Sequence, residues 1–429
     1  MLERRRDGEP GELRRLCQDS QRLLSARGDA GGLRLAAGLV ARLNAADAGT
    51  LGGYFDYLSR ALNPDPAAVL RAAQAYAATP GPEGLAGLAD AAEPPRQELL
   101  RRLNRTPGGT AAIVRVRRTL LTGLPANPGW QALEADLQHL LNSWFNPGFL
   151  EMRQVDWDAP ARLLEKLIEH EAVHAIDGWD DLRRRLQPDR RCFAFFHPQL
   201  PDEPLIFVEV ALGPTMPDAI GPLVDKRAAP LPVSDFRVAA FYSISNCEPG
   251  LRGVSLGNFL IKRVALELQH QLPKVRRFCT LSPIPGLATW LQRGPDFAAL
   301  PGLKRGRAAL LHGEVERLAA RTGGWSALQT AVGWATLSDA DHAALLRLAA
   351  TWLALCSPLR GGDPVARFHL DNGARLERLN PGANRAPAGL RQSFGLMVNY
   401  LYDLDRIEAH HSQFRAGRVA CSRAVQSLL

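Results

Sequence analysis

His170-Glu171-Ala172-Val173-His174 fits the pattern H-E-x-x-H. On a helix that spacing stacks two imidazoles on one face with a carboxylate beside them, the arrangement of a zinc peptidase. The extension of the pattern fails: its third ligand would fall on Asp180, and the glycine wanted at the eighth position is Asp177, with Gly178 one place late. The competing reading is an amphipathic helix running into an Ile-Asp-Gly-Trp turn, and no metal site is expected.

A quieter constellation lies further on. The β-rich run RVAAFYSIS feeds NCEPGLRGVSLGNFLIKRV, a glycine-containing loop that opens a long amphipathic helix. A loop that aims backbone N–H groups and the positive end of a helix dipole at one point can hold a phosphate. Arg252, Gly253 and Gly257 fall where an R/Q-x-x-G-x-G/A pyrophosphate loop would have them, with Ser255 in place of the middle glycine. Loops of this composition more often simply turn the chain. Downstream, Ser282 in RRFCTLSPIPGLATWL ends a strand pattern, and His369 sits in ARFHLDNGARL. A hydroxyl and an imidazole can do acid–base work. A Ser before Pro at a helix start is ordinarily an N-cap, and a lone His is ordinarily structural.

The elements that must position these groups divide the chain. At 429 residues it exceeds the usual single core. With 46% hydrophobic and 22% charged residues it can bury a large core and is not disordered throughout. From Gly11 to about Trp144 helix-period segments alternate with Pro/Gly breaks, which predicts an all-helical bundle over residues 1–144. Past Phe145 the short β-rich runs CFAFFHP, PLIFVEVAL, RVAAFYSIS and RRFCTLSP surround the helix pattern LGNFLIKRVALELQHQL, which predicts a mixed α/β domain over 145–429. Gly213 to Asp235 reads as a loop or lid, FHLDNGARLERL as strand-like with an Asn-Gly turn, and Leu390 to about Gln413 as helical.

The net charge of +8 comes from basic residues spread along the whole chain, so nucleic acid is not the expected partner, and an anionic small molecule needs only a few of them. Six scattered cysteines without a CxxC pair suit reduced thiols in the cytoplasm. The longest apolar candidate, Ala343 to Cys356, is broken by Arg347, so no membrane span is expected; nor does an apolar stretch follow the basic N-terminus as in an export signal.

Taken in order, ELLRRLNRTPGGT, SWFNPGFLEMRQVDW, the stretch from EAVHAIDGWDD to PLIFVEVAL, GLRGVSLGNFLIKRV, LSPIPG, FHLDNGA and GLMVNYLY resemble malonyl-CoA decarboxylase, over nearly the whole chain from about Arg96. The resemblance implies an N-terminal helical oligomerisation domain followed by a catalytic domain similar to the GNAT acetyltransferase fold, an α + α/β architecture. It implies a CoA loop at Arg252, Gly253, Val254, Ser255, Leu256, Gly257 and Asn258. The catalytic pair would be Ser282 and His369, with Ser243 and Tyr402 in support. Some relatives carry an active-site Glu where this chain has Ser255. The expected reaction turns malonyl-CoA into acetyl-CoA and CO2 without metal or organic cofactor, in a cytoplasmic homo-oligomer, a tetramer of paired dimers suiting the family. The competing reading is a GNAT-type acyl-CoA-dependent acyltransferase.

Overall fold

The computed structural model describes residues 10–27, 29–254, 256 and 260–429. Leucines at three- and four-residue spacing set the first part of the chain. Leu16, Leu23, Leu39, Leu43, Leu51, Leu58, Leu99, Leu103, Leu120, Leu133, Leu137 and Leu141 are all buried, on six helices between Pro10 and Trp144. The helices Pro66–Ala78, Pro82–Ala92 and Pro95–Asn104 each begin with proline, whose missing N–H costs nothing in a first turn. Among the described residues no strand precedes Glu151.

The chain divides into two compact units. One holds residues 1–151, 196–205 and 248–256; the other holds 152–195, 206–247 and 257–429. The sequence suggested a single cut at 144/145, whereas two later segments fold with the helices. Arg117 explains one of them. Buried on the helix Gly109–Gly123, it forks onto Glu134 at 3.0 and 2.6 Å and donates its other hydrogens to the carbonyls of Gly250 (2.7 Å) and Arg252 (2.9 Å). Gln138 donates to the Gly253 carbonyl at 2.8 Å. Gly250 has to be glycine, because a Cβ there would lie 2.1 Å from the Val114 carbonyl oxygen.

The second unit is built on an eight-stranded mixed sheet. Its strands are β1 (Glu151–Val155), β2 (Arg190–Phe196), β3 (Ile206–Gly213), β4 (Val238–Asn246), β5 (Arg277–Thr280), β6 (Ser282–Pro283), β7 (Arg375–Asn380) and β8 (Met397–Tyr402). They run in the order β1-β2-β3-β4-β5-β8-β6, with β7 also on β8. β4 and β5 are parallel, which requires a crossover, and the helix Leu260–Gln271 lies between them in sequence. Its Leu260, Ile261, Val264 and Leu268 are buried. The Gly213–Asp235 connection carries a short helix, Gly221–Val224. No helix among the described residues is long and apolar enough to cross a membrane.

Two expectations change. FHLD is not a strand: it belongs to the helix Pro364–Asp371, capped by Asp363 and stopped by Gly373 at φ +79°, and only then does β7 begin. The stretch 390–413 is not one helix, because β8 occupies its middle. Met397, Val398 and Tyr400 are fully buried there, and β8 pairs with β5, β6 and β7.

Arg117→Met would leave Glu134 without its counter-charge and two carbonyls without donors. Urea unfolding should show a loss of about 3–5 kcal/mol, the scale for halving a buried ion pair. A loss below about 1 kcal/mol, the scale of a surface pair, would show that the bundle does not depend on it.

Candidate active site

Strand β6 and the helix Pro364–Asp371 bring together the two residues singled out above. Ser282 Oγ lies 3.1 Å from His369 Nε2, and His369 Nδ1 lies 2.8 Å from the Tyr402 hydroxyl. Pairing explains the placement: Ser282 is held opposite Val398 on β8, and Tyr402 ends that strand opposite Phe278 of β5. Ser282 is therefore not a helix N-cap; the next helix, Leu287–Gln292, starts five residues later. The imidazole stacks on Tyr400 at 4.6 Å and is 4% exposed.

The donors fix the tautomer. Ser282 Oγ gives its hydrogen to Thr280 Oγ1 at 2.9 Å. His369 Nε2 therefore carries the ring hydrogen toward Ser282, and Nδ1 accepts from Tyr402. Burial pushes the imidazole down to about 3, so it is uncharged at neutral pH. The same cause raises the Tyr402 phenol far above its ordinary value. The result is a line of neutral hydrogen-bonding groups, with a hydrogen held on Nε2 toward Ser282.

Ser243 is placed differently. Its hydroxyl donates to the buried Glu171 carboxylate, lying 2.6 and 2.7 Å from the two oxygens, and neither Ser282 nor His369 is its partner. Ser245 donates to the same carboxylate at 3.1 Å, and the N–H groups of Val173 and His174 point to it at 2.9 and 2.8 Å. The H-E-x-x-H pentapeptide is thus not helical. Its helix, Ala161–His170, ends at the first His, and Glu171 continues in extended conformation. Among the described residues no three His, Cys, Asp or Glu side chains group as metal ligands.

In the candidate CoA loop, Arg252 and Gly253 are exposed while Val254 and Leu256 are buried. Gly253 adopts φ +80°, a conformation that favours glycine. Ser255, Gly257 and Asn258 lie outside the described residues. Sequence reasoning missed Thr280, Glu171 and Asp363. Asp363 had a signal, since Asp-Pro before an apolar run marks a helix start. Glu171 was hidden inside the zinc-like pattern, and a buried Thr on a strand carries no signal.

Known proteins share this architecture. The model of the malonyl-CoA decarboxylase C-terminal domain matches residues 148–429, and that of the N-terminal domain matches 62–145. The goose (Anser anser anser) and mouse mitochondrial malonyl-CoA decarboxylases are each 38% identical, over 73% and 72% of this chain. Those matches take in 64% and 65% of the relatives' own lengths. The crystal structure of malonyl-CoA decarboxylase from Rhodopseudomonas palustris is 46% identical with a TM-score of 0.84, covering 97% of this chain and 99% of that one. That from Agrobacterium vitis is 43% identical with a TM-score of 0.83, covering 96% and 99%.

The burial of His369 has a sign. A free imidazole titrates near 6.5. His369 and His174 are held down to about 3 and about 4 by burial, with the nearby Arg185 charge adding to the effect on His174. Below pH 6.5 the unfolded chain takes up protons that the folded chain refuses, so stability falls as pH drops and is indifferent to these groups above it. Urea midpoints should decline from pH 6.5 downward, and His369→Gln should flatten the slope. A ring 15N titration of His369 centred near 6.5 would contradict this.

Proposed function

The chain belongs to the malonyl-CoA decarboxylase family, and on that footing we propose that it converts malonyl-CoA into acetyl-CoA and CO2. The observation that carries the reading is the Tyr402–His369–Ser282 line, formed by the very segments, LSPIPG, FHLDNGA and GLMVNYLY, that resemble the family.

Malonyl-CoA holds a carboxylate β to a thioester carbonyl. When the C–C bond breaks, its electron pair enters an enolate that the thioester itself can carry. The protein then has to orient the leaving carboxylate out of the carbonyl plane, present donors to the enolate oxygen and deliver one proton to Cα. In our reading Ser282, turned from Thr280, gives its proton to Cα and regains one from His369 Nε2. A solvent proton then returns to Nε2 while Tyr402 goes on donating to Nδ1, so the ring ends in the tautomer it started from. One solvent proton is consumed per turnover, and neither imidazolium nor phenolate accumulates.

Arg252, Gly253, Val254 and Leu256, with Ser255, Gly257 and Asn258, are proposed to receive the CoA pyrophosphate. The support is Gly253's left-handed backbone and Arg117's grip on the carbonyls of Gly250 and Arg252. Ser243 contributes through Glu171 rather than on the ring. We further propose that the reaction needs no metal or organic cofactor, that residues 1–144 mediate assembly into a homotetramer of paired dimers, and that the protein works in the cytoplasm.

Malonyl-CoA supplied alone should give acetyl-CoA and CO2, because decarboxylation needs no acceptor, whereas an acyltransferase would leave it intact. Ser282→Ala and His369→Ala should each lower kcat on the order of 10²-fold or more, the scale of positioned acid–base groups. Near-normal turnover in both would remove the proposed pair.

A further inference from the structure

The separation of Ser282 and His369 is set by two segments 77 residues apart in sequence, and one buried carboxylate touches both. Asp363 is fully buried and caps the helix that carries His369. Its Oδ1 accepts the N–H groups of Val365 and Ala366, both at 3.0 Å, which is the whole requirement of an N-cap. Its Oδ2 is used elsewhere. It accepts the N–H of Gly286 at 3.1 Å, four residues past Ser282, and lies 3.4 Å from Trp352 Nε1.

Capping alone does not explain an aspartate here. Ser or Asn caps a helix as well without burying a charge, and a buried carboxylate is costly unless donors surround it. Four donors converge on Asp363, two from the His369 helix and two from outside it. Burial nonetheless pushes its carboxyl above the ordinary value, the N–H groups opposing the shift.

Gly286 is shaped to the same contact. A Cβ there would lie 2.9 Å from Trp352 Cζ2 and 3.4 Å from Asp363 Oδ2. Trp352 is in turn braced by stacking on Trp290 at 5.0 Å. Between Ser282 and Gly286, Pro283 and Pro285 restrict the backbone, so a pull on Gly286 is transmitted to Ser282.

We infer that Asp363 is a positioning residue, which ties the LSPIPG turn to the start of the His369 helix and thereby holds Ser282 within hydrogen-bond reach of the imidazole. It does not touch the reacting atoms. The inference rests on the proposed Ser282/His369 chemistry for its effect on turnover, and on geometry alone for its effect on the pair.

Asp363→Ser separates the two duties, since serine keeps the cap and cannot reach Gly286. The variant should retain its far-UV circular dichroism and lose kcat by about 10- to 100-fold, the scale of an ångström of misplacement. KM for malonyl-CoA should stay within about threefold, because the lost interaction is not one of substrate binding. The ring 15N shifts of His369 should move as its bond to Ser282 lengthens. Wild-type kcat, or unmoved ring shifts, would overturn the inference. Should Asp363→Ser fail to fold, Gly286→Ala decides from the other end by the same two readouts, unchanged values again overturning it. If the wild-type protein forms no acetyl-CoA, the proposed function fails, while the ring shifts of the variants still decide the role of Asp363.

Discussion

An imidazole buried in its uncharged form is the constraint around which the second unit is arranged. His369 can be kept neutral only if water is excluded and both ring nitrogens are satisfied within the fold. The sheet supplies this: β6 brings Ser282 to Nε2, β8 brings Tyr402 to Nδ1, and Tyr400 covers a ring face. Strand pairing places these partners, because Tyr400 and Tyr402 lie on β8 and the strand of Ser282 pairs with it. The sheet fixes Ser282, Tyr400 and Tyr402, and the helix Pro364–Asp371 carries the ring to them.

The same sheet carries a second buried polar system. Arg185 donates to Asp181 at 3.1 Å, to Glu209 at 3.0 Å and to the His174 carbonyl at 2.8 Å. Burial pushes the Glu209 carboxyl up to about 7 even beside that guanidinium. Beyond it, Asp189 accepts from both Arg184 and Arg190. Such groups are costly to desolvate and contribute little net stability as pairs, yet removing one partner strands the other. Their arrangement ties the segment after the helix Ala161–His170, through Glu171 and Ser243, to β4. The carboxylate that looked like part of a zinc motif is thus an anchor for strand β4.

Much of this was legible in the sequence, and the failures have physical causes. Alternating and continuous apolar runs gave β2, β3 and β4, because a sheet buried on both faces writes itself as Phe, Val and Ile. Ser282 and His369 were found by resemblance, since neither residue type nor spacing links positions 87 apart. His369 was placed in a strand because Asn-Gly looked like a hairpin turn. The same dipeptide closes a helix when an Asp-Pro cap stands nine residues upstream of it. β8 was taken for helix because the period of GLMVNYLY is ambiguous in so short a run, and only pairing on both sides decides it. That residues 248–256 fold with the helices was beyond a linear reading: a buried arginine on one helix holds carbonyls more than 130 residues away.

The depressed basicity of His369 also bears on which reaction suits the site. An acyltransferase needs a base that strips a proton from an ammonium or amine, and an imidazole held down to about 3 is a feeble one at neutral pH. A decarboxylase has the opposite need. Its intermediate, a thioester enolate, is a base far stronger than any side chain, so weak and uncharged acids can protonate it. A charged imidazolium beside the scissile carboxylate would pair with that carboxylate and hold it in place, stabilising the ground state more than the transition state, in which the charge has moved to the enolate. Keeping the ring neutral avoids this penalty while leaving a hydrogen on Nε2 to renew Ser282. In the proposed reaction, the burial that makes His369 a poor base would suit it to the loss of CO2.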